Sequence, residues 1–307
     1  MTQRILVTGS AGLIGRTVTR LLRAAGTDVA ELDLRGESQQ SRGDVCDPDR
    51  LASAMRGAAG IIHLAAVSRV IDGERDPARC WRVNAEASGA LLQAAIRAAG
   101  RPWVIYASSR EVYGQQDHLP VAEDAPLRPK NIYARAKAEA ERLAGEARAA
   151  GLRTAILRFS NVYGDTRDHV DRVVPAFARA AALARRGGGE VRVDGKDCTF
   201  DFTHVADVAD GIVRVAGLLR DGEAALPAIH LVGGHQTSLG RLAALARAIG
   251  GPALRVVEAP PRGFDVHRFA GDPARAERLL GWRATTALAA GFETLANAYL
   301  RELAAAE

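Results

Sequence analysis

The strongest constraint on this chain is a glycine pattern near its start. The segment TGSAGLIG places Gly9, Gly12 and Gly15 between an apolar run, Arg4–Thr8, and a helical pattern, Leu13–Ala25. The first glycine permits a tight turn, the second lets the backbone approach a pyrophosphate, and the third lets the helix pack closely. The pattern predicts a strand, a phosphate-binding turn and a helix whose N-terminus faces the phosphates.

Apolar runs alternate with helical patterns through the first half of the chain. Further strands are predicted at 28–34, 60–66, 102–108 and 153–160, and helices at 81–99 and from near Tyr133. The alternation predicts fold class α/β, a doubly wound parallel sheet (Rossmann) with a smaller, mostly C-terminal substrate lobe. We expect residues 1–165 to form the dinucleotide-binding domain, 200–232 to return to it, and 166–307 to form most of the substrate lobe.

An acidic residue follows the second predicted strand. Asp33 lies 18 residues after Gly15. A carboxylate at this place accepts hydrogen bonds from both ribose hydroxyls and repels a 2′-phosphate, which favours NAD over NADP. Arg35 lies close by and softens that preference.

Composition excludes several classes of protein. A net charge of +5 without a basic block of five residues argues against nucleic-acid binding. Cys46, Cys80 and Cys198 are odd in number and form no C-x-x-C pair, which is typical of reduced thiols in the cytoplasm. No apolar stretch approaches 18 residues, so no membrane span is expected. The seven histidines form no metal-binding pattern, and His63 and His204 are expected to be structural.

Several motifs occur together in a characteristic order. They are the glycine pattern, GDVCDP (43–48), HLAA (63–66), Asn84, SSREVYG (108–114), Tyr133-x-x-x-Lys137, RFSNVYG (158–164), FTHVADV (202–208) and LLGW (279–282). This order resembles the extended short-chain dehydrogenase/reductase family, and within it the NAD-dependent nucleotide-sugar epimerases and dehydratases. The resemblance implies tightly held NAD, a nucleoside-diphosphate sugar substrate, and a homodimer formed by the helices after Trp81 and after Tyr133.

The resemblance also implies a set of binding residues. The implied cofactor contacts are Gly9, Gly12, Leu13, Ile14, Gly15, Asp33, Asp44, Val45, Leu64, Ala65, Ala66, Asn84, Tyr133 and Lys137. The implied substrate contacts are Ser68, Ser109, Asn161 and Arg262.

Three residues match the catalytic triad of that family. Lysine occurs only at 130, 137 and 196 among 41 Lys and Arg residues, so Lys137 stands out four residues after Tyr133. An ammonium near a tyrosine favours the phenolate, which allows Tyr133 to exchange a proton with a sugar hydroxyl. Ser109 occupies the place of the third catalytic group and is expected to bond the reacting oxygen.

Glu111 leaves two reactions open. Oxidation at C4 of a sugar makes the C5 proton acidic, and a carboxylate at this place in the family removes that proton in dehydratases. Without such a step, the 4-keto sugar turns and is reduced from its other face, which gives C4 epimerisation. The other interpretation of Glu111 is a structural ion pair, with Arg110 as its partner. Epimerisation ranks first because it requires only the triad.

The chain departs from the family at one place. Thr199 and Phe200 stand where the family often has an arginine that contacts the substrate phosphates, and Lys196 or Arg192 is the expected substitute. The departure keeps a net NAD-dependent dehydrogenase or reductase on a non-nucleotide substrate open. A non-catalytic dinucleotide sensor is a further alternative, against which the intact Ser109, Tyr133 and Lys137 argue.

Overall fold

The computed structural model describes residues 3–223, 226–261, 263 and 266–305. The strands in this part of the chain are β1 (Arg4–Thr8), β2 (Asp28–Leu32), β3 (Ala58–His63), β4 (Trp103–Ser109), β5 (Thr154–Phe159), β6 (Asn161–Tyr163), β7 (Gly189–Asp194), β8 (Thr199–Phe200), β9 (Phe202–His204), β10 (Ile229–Leu231), β11 (Thr237–Ser238) and β12 (Leu254–Ala259). The helices are α1 (Leu13–Ala24), α2 (Pro48–Met55), α3 (Val70–Arg75), α4 (Pro77–Trp81), α5 (Ala87–Arg97), α6 (Ile132–Ala149), α7 (Val173–Ala184), α8 (Val205–Arg220), α9 (Leu239–Gly250), α10 (Ala274–Leu280) and α11 (Leu288–Ala305). Within these ranges, no helix is both long and apolar enough to cross a membrane.

Six strands form the central sheet in the order β10-β5-β4-β3-β1-β2, and every neighbouring pair is parallel. The predicted fold class, a doubly wound parallel sheet, is confirmed. Three two-stranded pairs lie outside it: β6 with β9, β7 with β12, and β8 with β11.

Alternate residues of the sheet face two different helical layers. Ile5, Val7 and Ile105 share a core with the apolar side chains of α1 and α8. Leu6 and Val104, one residue out of phase, share a second core with residues of α5 and α6. This alternation follows from the two-residue repeat of a strand, and it explains why the strand sequences are apolar throughout.

The parallel register brings the loops after several strands to one edge of the sheet. Thr8, the last residue of β1, aligns with His63 on β3, which in turn aligns with Tyr106 on β4. Ser109 aligns with Phe159 at the ends of β4 and β5. Ligands of open parallel sheets bind at this edge, outside the carboxyl ends of the strands.

His63 is part of this scaffold. Its ring bonds Thr8 Oγ1 at 2.7 Å and Ser88 Oγ at 3.0 Å, and burial lowers its pKa to about 3. The side chain is therefore neutral and structural, as expected from its apolar surroundings.

A third core lies beneath α7, α9, α11, β7 and β12. The chain between these elements returns to the first core. α8 packs on α1, and β10 pairs with β5. The segment around Trp282 also returns, because its indole Nε1 donates to the Asp207 carbonyl at 2.9 Å. That last return was not expected, and the boundary at residue 165 stays a prediction.

The single helix predicted over 81–99 is divided. It consists of the end of α4, a π-helical turn (Arg82–Glu86) and α5. The π turn contains the buried Asn84, whose amide bonds the backbone of Val67 on the loop after β3. Such turns are frequent at functional sites.

Candidate active site

The glycine loop forms a close-fitting cradle at the end of β1. Gly9 has φ +70°, and a Cβ there would lie 2.6 Å from the Ala65 backbone nitrogen. A Cβ at Gly15 would lie 2.1 Å from the Gly9 carbonyl oxygen. α1 begins directly after Gly12, with no side-chain cap and no acidic residue in its first turn. This geometry leaves the helix N-terminus open to a pyrophosphate, so the loop fits a dinucleotide.

Asp33 lies at the end of β2 and is 8% exposed. Its Oδ2 accepts a hydrogen bond from the Ala11 backbone at 3.0 Å, and its Oδ1 accepts one from the Arg35 backbone at 2.8 Å. The carboxylate is thus fixed beside the glycine loop, where a ribose would lie.

One cavity of about 790 Å³ opens along the carboxyl edge of the sheet. It brings together most of the residues singled out from the sequence. Those lining it are Gly9, Gly12, Leu13, Ile14, Gly15, Asp33, Asp44, Val45, Leu64, Ala65, Ala66, Ser68, Ser109, Glu111, Tyr133, Lys137 and Asn161. Asn84 does not line it, and Arg262 lies outside the described residues.

Tyr133 and Lys137 lie one turn apart at the start of α6. Asn131 caps this helix by accepting a hydrogen bond from the Ala134 backbone at 2.8 Å. Lys137 Nζ donates to the Ala107 carbonyl on β4 at 2.7 Å and lies 6.0 Å from the centroid of the Tyr133 ring. Both side chains are buried, so the sheet and the helix fix their positions.

Burial controls the protonation of this pair. It raises the pKa of Tyr133 to about 12, while the hydrogen bond with Ser109 and the charge of Arg172 act in the opposite direction. Burial also lowers the pKa of Lys137 to about 8. The pKa of Tyr133 is therefore raised and not lowered as expected from the sequence, because desolvation disfavours the charged form of the tyrosine.

Glu111 has a partner at each carboxylate oxygen. Oε1 pairs with Arg110 Nη2 at 2.8 Å, and Oε2 accepts a hydrogen bond from Asn131 Nδ2 at 3.2 Å. Arg110 is itself enclosed, with its guanidinium carbon 4.9 Å from the centroid of the Phe200 ring. The ion pair foreseen as the structural interpretation of Glu111 is present.

Asn84 does not line the cavity but holds a loop that does. Its Oδ1 accepts a hydrogen bond from the Val67 nitrogen at 2.8 Å, and its Nδ2 donates to the Val67 oxygen at 3.0 Å. Both amide atoms hold the loop that contains Ala65, Ala66 and Ser68. A direct cofactor contact of Asn84 remains a prediction.

Arg192 and Lys196 were the residues expected to replace the phosphate-binding arginine that is missing at Thr199 and Phe200. Arg192 lines the same cavity as Asn161 and pairs with Asp194 at 2.7 Å, whereas Lys196 pairs with Glu258 at 3.0 Å and does not line the cavity. Of the two expected substitutes, Arg192 lines the cavity and Lys196 does not.

Arg172 was not anticipated from the sequence. It immediately precedes α7, lines the cavity, and donates from Nη2 to the backbone and hydroxyl oxygens of Ser68, each at 3.0 Å. The neighbouring Asp168 Oδ1 lies 3.7 Å from its Nε. No motif marks this arginine, because only the fold brings it close to Ser68, 104 positions earlier.

Other chemistries find little support in the described part of the chain. No group of three or more His, Cys, Asp or Glu there is arranged to hold a metal ion. Cys46, Cys80 and Cys198 form no disulfide among the described residues. His204 caps α8 by accepting a hydrogen bond from the Ala206 nitrogen at 3.3 Å, in agreement with its expected structural role.

A glycine cradle at a parallel-sheet edge, with a buried Tyr-x-x-x-Lys pair and a serine at the end of β4, defines a dinucleotide-dependent enzyme of the short-chain dehydrogenase/reductase class. Residues 5–226 match the model of the NAD dependent epimerase/dehydratase family, and the chain belongs to that family. The resemblance stated from the motifs and the assignment of NAD are thereby confirmed.

The similarity to known proteins extends over nearly the whole chain. A UDP-glucose 4-epimerase of Streptomyces lividans is 30% identical over 94% of this chain and 93% of the relative. A dTDP-glucose 4,6-dehydratase of Streptomyces griseus is 31% identical over 95% and 92%, respectively. Among solved structures, MoeE5 in complex with UDP-glucose and NAD is 30% identical with a TM-score of 0.87, and covers 98% of this chain and 99% of its own.

Proposed function

We propose that this enzyme epimerises C4 of the hexose in a nucleoside-diphosphate sugar, with UDP-hexoses as its first candidate substrates. The observation that carries the proposal is the meeting of Ser109, Tyr133 and Lys137 in one cavity in which both oxygens of Glu111 are already bonded. The UDP-glucose 4-epimerase relative and the UDP-glucose complex of MoeE5 support the choice of substrate.

The roles of the triad follow from its geometry. Tyr133 takes the proton of the sugar C4 hydroxyl and later returns it, while Ser109 bonds the same oxygen and shares its charge. Lys137, anchored on the Ala107 carbonyl, holds a proton donor beside the Tyr133 ring. The glycine loop and Asp33 would hold NAD, which would supply a reversible hydride acceptor, so that none would be consumed.

Other residues bind and orient. The glycine loop and the α1 N-terminus hold the cofactor pyrophosphate, and Asp33 accepts hydrogen bonds from the ribose. Asn161 and Arg192 meet the substrate diphosphate, since a guanidinium is suited to phosphate oxygens. Arg172 and Ser68 form the wall on the sugar side. The cavity of about 790 Å³ leaves the sugar room to turn between the two half-reactions.

A proton NMR time course in D2O tests the proposal. The protein with NAD is offered UDP-, dTDP-, GDP- and CDP-hexoses, and we expect a 4-epimer without deuterium at C5. Tyr133→Phe should lower turnover at least about 100-fold, because it removes the general base. The matched control is Tyr299→Phe, because the Tyr299 hydroxyl donates to the Thr166 carbonyl at 3.4 Å and does not line the cavity.

Sugar-nucleotide dehydration is the second candidate. The observation in its favour is that Glu111 lines the same cavity as Tyr133, and a dTDP-glucose 4,6-dehydratase is among the relatives. Deuterium at C5 together with a 4-keto or unsaturated product would identify this reaction and make Glu111 the acid/base. A stoichiometric change in NADH without a new nucleotide sugar would instead indicate a net dehydrogenase. No turnover with any of these sugars would contradict both the epimerase and the dehydratase assignments.

We also propose that the enzyme is a homodimer formed through α5 and α6 and that it works in the cytoplasm. Exposed small residues on the two helices, Ala90 and Gly145, leave room for a second pair of helices. The three cysteines form no disulfide among the described residues, which is compatible with a reducing compartment.

A further inference from the structure

Glu111 lies beside the carbon at which a competing reaction would start. Its backbone nitrogen donates to Ser109 Oγ at 3.2 Å, and both residues line the cavity that contains Tyr133. In the proposed reaction Ser109 bonds the oxygen on C4, so C5 lies one carbon further along the sugar ring. Once C4 is a ketone, the C5 proton is acidic, and a free carboxylate beside it would act as a general base.

The carboxylate of Glu111 is held at both of its oxygens. Arg110 Nη2 lies 2.8 Å from Oε1, and Asn131 Nδ2 donates to Oε2 at 3.2 Å. Arg110 and Glu111 are 9% and 6% exposed, so the pair is buried against the cavity and not spread over the surface. In this arrangement neither oxygen is free to turn towards the sugar.

The guanidinium of Arg110 is itself fixed. Its central carbon lies 4.9 Å from the centroid of the Phe200 ring and 5.6 Å from that of the Phe269 ring. Nη1 is buried without a hydrogen-bond partner among the described residues. If Glu111 turned away, this cation would remain buried between two rings without its counter-charge, which is strongly unfavourable. Arg110 therefore opposes any movement of the carboxylate towards C5.

Asn131 connects the same carboxylate to the catalytic helix. Its Oδ1 accepts a hydrogen bond from the Ala134 nitrogen at 2.8 Å and so caps α6, while its Nδ2 bonds Glu111. Tyr133 lies in the first turn of this helix. The position of the Glu111 carboxylate is thus set relative to the tyrosine that acts on C4.

Phe200 gives the departure from the family a physical reason. It is one of the two residues found where the family often has an arginine, and its ring faces the Arg110 guanidinium. The face of an aromatic ring attracts a cation, whereas a second guanidinium at this place would repel the first. The aromatic residue at 200 and the arginine at 110 therefore support each other.

We propose that Arg110 is a positioning residue that decides the reaction: with Asn131 it holds Glu111 away from C5, so that the 4-keto sugar is reduced and not deprotonated. A released Glu111 would take the C5 proton, and the electron pair of the C5–H bond would pass into the C4 ketone to give an enolate. Return of a solvent-derived proton to C5 restores the ketone. The inference rests on the proposed use of a nucleotide sugar, but this step needs no hydride transfer.

Hydrogen exchange at C5 of a ready-made ketone tests the inference. The probes are UDP- and dTDP-4-keto-6-deoxyglucose in D2O, followed by proton NMR with the NAD-loaded protein carrying Tyr133→Phe, which prevents reduction of the ketone. With Arg110 intact, we expect exchange no faster than in buffer. Arg110→Met should accelerate it at least about tenfold, and adding Glu111→Gln should abolish the acceleration, because the carboxylate is the base.

Three further variants separate positioning from a loss of structure. Arg110→Lys keeps a cation beside Glu111 and should keep exchange slow. Asn131→Ser retains an oxygen that caps α6 but loses the amide donor, so exchange should become faster in a folded protein. Arg247→Met removes a charge from exposed α9 and should leave exchange as slow as before.

Two results would overturn the inference: fast exchange with Arg110 intact, or no exchange above the rate in buffer with either Arg110→Met or Asn131→Ser. Epimerisation by the wild-type protein is scored separately with the hexose panel. Failure of that panel while Arg110→Met accelerates exchange would contradict the proposed epimerisation and support the positioning role. Epimerisation without any accelerated exchange in the variants would contradict the positioning role alone.

Discussion

Lys137 is a buried cation that the fold tolerates at a cost in stability. Its pKa falls to about 8 in the folded protein, against about 10.4 for an exposed lysine. The folded state therefore disfavours the protonated lysine, and the destabilisation is fully present below pH 8. It is relieved as the pH rises from 8 towards the unfolded value, because the unfolded chain then holds a proton that the folded chain has released.

Replacing Lys137 should separate stability from activity. We expect Lys137→Met to abolish turnover. It should also raise the free energy of unfolding at pH 7 by about 1–2 kcal/mol, because a charge no longer has to be buried. Loss of the hydrogen bond to Ala107 partly offsets this gain. Above pH 8 the advantage of the variant should shrink by about 1.4 kcal/mol per pH unit. Urea unfolding at pH 7, 8, 9 and 10 measures this difference. The exposed Lys130→Met is the control, and a gap that stays constant with pH would contradict the explanation.

Among single residues, those embedded in local patterns were the most predictable. The glycine spacing and Tyr-x-x-x-Lys identify Gly9, Gly15, Tyr133 and Lys137 because neighbours within one turn or loop decide their positions. Arg172 was missed because it reaches the cavity through a contact with Ser68 on a distant loop. The direction of the pKa shift of Tyr133 also required the fold, since a sequence does not report desolvation.

At the scale of elements, α6 is fixed to the sheet by a buried charged network. Glu141, one turn after Lys137, accepts hydrogen bonds from Ser108 on β4 and from Arg158 on β5. Arg158 Nη1 also donates to Tyr113 at 2.6 Å. Because Ser108 precedes Ser109 on the same strand, this network sets the position of the catalytic helix relative to the catalytic serine.

Breaking that network should cost far more than breaking a surface pair. We expect Glu141→Gln to lower the free energy of unfolding by about 3 kcal/mol, because Arg158 remains buried without its counter-charge. Glu139→Gln, on the same helix, removes a partner of the exposed Arg142 and should cost less than about 1 kcal/mol. Denaturant unfolding of the two variants compares them. Equal costs would mean that Glu141 does not anchor the helix.

Elements were predictable where hydrophobic pattern and turn signals agree. β1, β3, β4, β5 and α1 fall within a few residues of their predicted bounds, because a buried strand between glycine or proline signals is locally encoded. The pairs β6 with β9 and β7 with β12 were not foreseen. Their partners lie about 40 and 65 residues apart, and only tertiary packing selects them.

For the whole molecule, the proposed dimer is the testable property. α5 and α6 pack side by side, and a Cβ added at Gly89 would lie 3.0 Å from a methyl carbon of Leu143. We expect sedimentation of the wild-type protein to give twice the mass of one chain. Ala90→Arg should give the mass of a single chain, because a long cation does not fit between closely packed helices. Ala289→Arg, an exposed position on α11, should remain a dimer. A wild-type protein that sediments as one chain would contradict the proposal.

The backbone path has a consequence for how such enzymes diverge. A hybrid that joined residues 1–165 of this chain to the remainder of a relative would borrow β10 and α8, which must fit β5 and α1 of this chain. The two parts of the hybrid would therefore have to fit each other across an entire face of the sheet. New substrate preferences in this architecture should then arise through substitutions within an intact chain, because no single crossover point separates the machinery that binds the cofactor from the part that selects the sugar.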